Sequence, residues 1–70
     1  MSNNREIIQH LLEMMEKFSG EPGRVISESN FSDFEKYAIS YLKKNLLITR
    51  ESAISEFNWF VNKYHISVVK

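Results

Sequence analysis

Cysteine is absent from the seventy residues, proline occurs once and glycine twice. Without cysteine there is no disulfide framework and no thiolate metal site, and a reducing compartment fits. Charge of one sign is also lacking: nine Lys and Arg balance nine Asp and Glu. No unbroken apolar run exceeds three residues, Leu46-Leu47-Ile48 being one such, and this is far too short to span a bilayer. The start, Met1 to Glu6, has no basic segment leading into an apolar stretch, so no signal peptide is expected. These absences point to a cytoplasmic chain with no membrane partner.

Catalytic motifs are missing as well. There is no Gly-x-Ser-x-Gly turn and no Gly-rich phosphate loop. Gly20-Glu21-Pro22-Gly23 carries two glycines but no following Lys-Ser/Thr, and Pro22 removes an N–H that a phosphate cradle would use. The segment reads as a turn. No enzymatic activity and no cofactor are expected.

What is present suits one small globular domain. Hydrophobic residues make up 43% and charged residues 26%, so disorder is not expected for the bulk of the chain. The pattern predicts an all-α fold of three helices over 4–19, 32–45 and 50–64, with a connector at 20–30 and a tail at 65–70. In the first, Ile7, Leu11, Met14 and Phe18 share one face, with Ile8, Leu12 and Met15 beside them. Asn3 with Glu6 resembles a capping box, and Gly20 then Pro22 form a stop. Met14 and Met15 therefore read as core. Ser32 with Glu35 is a second capping box, and Asn45 a plausible stop. Thr49 is an expected cap for the third helix, with Ile48 placed as a staple and Ala53, Ile54, Phe57, Phe60, Val61 and Tyr64 on one face. The tail either continues that helix or becomes extended. Its β-branched residues resemble Arg24-Val25-Ile26-Ser27, which raises a two-stranded pairing.

Two features suggest that the chain associates. A core of this length rarely supplies more than ~3–5 kcal/mol, so a partner or a second copy is a natural remedy. The second helix spreads Phe31, Phe34, Tyr37, Ala38, Ile39, Tyr41, Leu42 and Leu46 over more than half its girth, wider than one neighbour needs. A homodimer with this helix packed on its symmetry mate is expected. The zero charge also conceals a split. Residues 1–35 hold three basic against seven acidic side chains, a net −4, and residues 36–70 hold six against two, a net +4. The two halves suit attraction within one chain or between two placed antiparallel.

The favoured function is a protein–protein interaction module, a regulator or adaptor that binds another protein. Trp59 falls opposite the apolar face of the third helix, among Ser and charged neighbours, where an interface anchor is as natural as cover by the tail or connector. Tyr37 and Tyr41 are further contact candidates, with Lys36, Lys43 and Lys44 as an electrostatic rim. The runner-up is a DNA-binding helix-turn-helix using those lysines; Glu51 and Glu56 on the third helix and the zero net charge count against it. A weaker alternative is a divalent-metal site at Glu6, His10 and Glu13, spaced i, i+4, i+7. A solvated face with helix-spaced charges explains those three as well.

Overall fold

A computed structural model of the chain describes residues 3–20 and 24–70. The elements run α1 (Asn3–Ser19), β1 (Val25–Ser27), α2 (Glu28–Leu46), α3 (Arg50–Lys63) and β2 (Ser67–Val69). The chain is predominantly helical, as the apolar periodicity predicts. The all-α expectation needs one amendment, because the two β-branched segments pair as a parallel two-stranded sheet. Val25 lies opposite Ser67, Ile26 opposite Val68 and Ser27 opposite Val69.

The caps account for the element boundaries. Ser27 is extended (φ −70°, ψ 157°) and its hydroxyl accepts from the Asn30 N–H at 3.3 Å. That cap starts α2 four residues before the predicted Ser32, so part of the expected connector is helix. Ser32 and Asp33 instead lie on its exposed face. Thr49 caps α3 as expected, accepting from the Ser52 N–H at 3.1 Å, and Ile48 packs on the core. The Asn3 capping side chain and Pro22 lie outside the described residues.

All three helices end on a left-handed residue. Gly20 (φ 83°) does so for α1, its N–H donating to the Glu16 carbonyl. Leu47 (φ 55°) and His65 (φ 53°) do so after α2 and α3, where a Cβ makes this conformation costly. The N–H groups of Leu47 and Ile48 reach the Lys43 carbonyl, and that of Ile66 reaches Val61. The Lys43 and Val61 carbonyls at the two helix ends thereby gain partners from beyond the helix. Asn45, the predicted stop, is inside α2 and donates its amide to the Tyr41 carbonyl.

α2 is the central element, and this is why its apolar stripe is so wide. Phe34, fully buried, has the Phe18 ring of α1 at 5.9 Å and the Phe57 and Phe60 rings of α3 at 5.6 and 6.4 Å. Tyr37 and Tyr41 face α1, while Ala38, Ile39 and Leu42 are buried in the core. The stripe that suggested a symmetry mate is thus covered within one chain. The sheet closes one end: Ile26 of β1 is 1% exposed and Ile66, just before β2, is also buried. Arg24 ties the strands together. Its carbonyl accepts from the Ser67 N–H at 2.6 Å, and its guanidinium donates to the Tyr64 carbonyl at 2.8 Å while lying over the Tyr64 ring. Among the described residues no polar side chain is buried without a partner, so the interior is uniformly apolar. Met15 is buried and Met14 packs against the core, as expected of that face.

Candidate protein-interaction surfaces

α1 and α3 flank α2 and leave a groove between them of about 310 Å³. Ile7, Ile8 and Leu11 of α1, Leu42 and Leu46 of α2, and Trp59 and Phe60 of α3 supply its apolar lining; Ser55 and Glu56 supply the polar part. Trp59 is 50% exposed. Neither the tail nor the connector strand is among the groove's lining residues, so the indole edge stands in solvent beside an apolar depression. An amphipathic ring half in water is the usual form of an interface anchor before its partner arrives.

The six predicted contact residues are not one patch. Trp59 lines the groove. Tyr37, Tyr41 and Lys44 line a second cleft with Ser40 and Asn45. Lys36 and Lys43 line a third with Ser40, Glu35, Ile39, Ile54 and Arg50. The second and third clefts share Ser40, so they flank one ridge on the outer side of α2. Arg50 joins the lysines there because the turn Leu47–Thr49 brings the start of α3 back beside α2. Sequence reasoning missed it, since its distance from the lysines along the chain hides their proximity.

His10 is also placed differently from the solvated face expected for it. Its Nε2 and the Tyr37 hydroxyl share a hydrogen bond of 2.6 Å, and its ring stacks on Tyr41 with centroids 4.4 Å apart. Tyr37 and Tyr41 themselves stack, 15° from parallel. The three rings form an aromatic seam between α1 and α2. His10 stands three residues after Ile7 and four before Met14, at the border of the apolar stripe, and that spacing is the signal that could have found it. Burial raises the Tyr41 phenol above its ordinary value, helped by the neighbouring Tyr37 and by the charge of Glu6. Glu6 therefore lies close to one side of the seam.

This arrangement counts against the metal alternative at Glu6, His10 and Glu13. The His10 ring is committed to two tyrosines, and among the described residues no three His, Asp or Glu side chains are gathered as a ligand set. Comparison with protein-family models, with curated proteins and with solved structures gives no match. No described helix is long and apolar enough to cross a membrane.

Proposed function

We propose that this chain is a non-enzymatic protein-interaction module, a small regulator or adaptor that binds another protein in the groove between α1 and α3. The observation that carries this reading is Trp59, half in solvent at the wall of an apolar groove that no other described part of the chain fills. The groove suits the apolar face of a helix, with Glu56 at its edge favouring a basic residue beside the apolar anchors. Burying half an indole and the facing aliphatic side chains supplies the desolvation that binding needs.

The test is an affinity capture run in parallel with wild type and Trp59→Ala, both shown to be folded by circular dichroism. A partner retained by the wild type and lost in the variant supports the reading. A partner held equally by both refutes the groove as the site.

A second reading, binding of a nucleic-acid backbone, draws on one observation: Lys36, Lys43 and Arg50 line the same cleft, and none of the three has an ion-pair partner among the described residues. Three free cations beside a helix start suit phosphates. Fluorescence anisotropy with a mixed duplex at low salt decides it. Binding that weakens as salt rises supports this reading, and no binding at low salt ends it.

A further inference from the structure

The seam of His10, Tyr37 and Tyr41 divides two stripes of opposite charge. On the α1 side stand the exposed Glu6 and Glu13, and on the α2 side the exposed Lys36 and Lys44. None of these four charges has an ion-pair partner among the described residues. The seam explains why: the stacked rings hold the acidic stripe apart from the basic one within a single chain.

The two helices run antiparallel, since His10 meets Tyr41 while Phe18 meets Phe34. At a uniform rise per residue, Glu6 stands within about two residues of the level of Lys44, Glu13 within about three of Lys36, and Lys17 within about two of Asp33, offsets of a few ångströms that long charged side chains span. At these three levels the charge on α1 is opposite to the charge on α2; Arg5, Glu16 and Glu35 fall outside the pattern. A surface of this kind is self-complementary under a two-fold axis that lies parallel to the helices. Such an axis exchanges left and right but keeps each level, so α1 of one copy lies over α2 of the other. Glu6 then faces the second copy's lysine at position 44, Glu13 its lysine at 36, and Lys17 its aspartate at 33. An axis across the helices would instead set acid against acid.

We infer that this chain forms a two-fold dimer through the α1–α2 face, with the second copy's acidic stripe seated on Lys36 and Lys44 across the aromatic seam. Ser40, small and exposed between the lysines, lets the facing helix approach. The cleft of about 370 Å³ beside Tyr37, Tyr41 and Lys44 receives the second copy's side chain at position 6. Two helices of this length present a face of roughly 500 Å² per copy, at the low end for a specific interface, so the dimer is expected to be weak and salt-sensitive. The surface shares no residue with the groove that holds Trp59. Failure of either reading leaves the other standing.

The test is sedimentation or light scattering over a concentration series at low salt, with the wild type, Glu13→Lys, Lys36→Glu and an equimolar mixture of the two variants. Both positions are exposed and unpaired, so circular dichroism should show both variants folded. Each variant alone opposes like charges twice in its dimer, and its dissociation constant should rise about tenfold or more. In the mixture every altered contact becomes opposite in sign again, so mixed dimers should form with near wild-type affinity. A wild type that stays monomeric across the series overturns the inference. So do variants that dimerise as well as the wild type, and so does a mixture that stays monomeric. Trp59→Ala should dimerise normally, which keeps this result separate from that of the groove.

Discussion

Replacing Leu47 with glycine should stabilise the free domain. Leu47 ends α2 with φ 55° and ψ 47°, the left-handed conformation, and its side chain is 89% exposed. A residue with a Cβ carries about 1–2 kcal/mol of steric cost there, which glycine avoids. Because the leucine buries almost nothing, its removal forfeits little apolar contact. Glycine does loosen the unfolded chain, which offsets about 0.4–1 kcal/mol. The balance favours Leu47→Gly by about 0.5–1 kcal/mol. For a domain of this size that is a rise in Tm of about 2–6 °C. Thermal unfolding followed by circular dichroism measures it, with Leu47→Ala as the control. Alanine keeps the Cβ and hence the strain, so it should unfold within about 1–2 °C of the wild type. A drop in Tm for both variants would show that the leucine side chain is packed and would refute the cap argument.

Three further outcomes follow from the same geometry. Ser27→Ala removes the hydroxyl that accepts from Asn30 and should cost about 1 kcal/mol in denaturant unfolding, whereas Ser32→Ala, at the exposed position first expected to cap, should be nearly neutral. Trp59→Ala should lower stability by no more than about 1 kcal/mol, and Trp59 emission in the wild type should be that of a largely hydrated indole; a strongly blue-shifted spectrum would contradict the exposed placement. The Tyr41 phenol, raised by burial, Tyr37 and Glu6, should ionise above the ordinary phenol value in an ultraviolet titration. The raised value means that the folded state holds this proton more tightly than the unfolded one. Its contribution is complete below the unfolded phenol's pKa of about 10 and is lost as pH rises from there through the folded value. Glu6→Gln should bring the titration down, and no change would remove Glu6 as a cause.

What the sequence disclosed and what it concealed have distinct physical origins. Ile7, Leu11 and Met15 could be read because a buried helical face repeats in a fixed pattern, and Thr49 because a hydroxyl before an apolar run is a local signal. Ser27 and Ser32 offer the same local chemistry five residues apart. The strand pairing decided between them, since extending Val25–Ser27 against Ser67–Val69 places the helix start at once after Ser27. Leu47 and His65 gave no warning as helix ends, because the αL signal is carried by glycine or asparagine and these positions have neither. His10 was misplaced because a polar type on a stripe's border reads as solvated until the facing tyrosines are known.

The width of α2's stripe had suggested a missing second chain, and its outcome shapes the association argument. The stripe is filled by α1 on one side and α3 on the other, so apolar hunger along α2 is no longer a reason to dimerise. Its remaining outer face carries Lys36, Lys43 and Lys44, which on a symmetry mate would meet like charges. What survives is the charge split, with exposed Glu6 and Glu13 on α1 and exposed Lys36 and Lys44 on α2. An interface of opposite charges around half-buried aromatic rings draws its specificity from register more than from apolar area. The same feature makes the association reversible by salt, as an interface of low area and exposed charge must be. The groove beside Trp59, lined by aliphatic side chains, should bind its partner with little dependence on salt. Ionic strength alone therefore separates the two surfaces: at 0.5 M salt the dimer should dissociate while groove binding persists, about as expected for a Debye length reduced to a few ångströms.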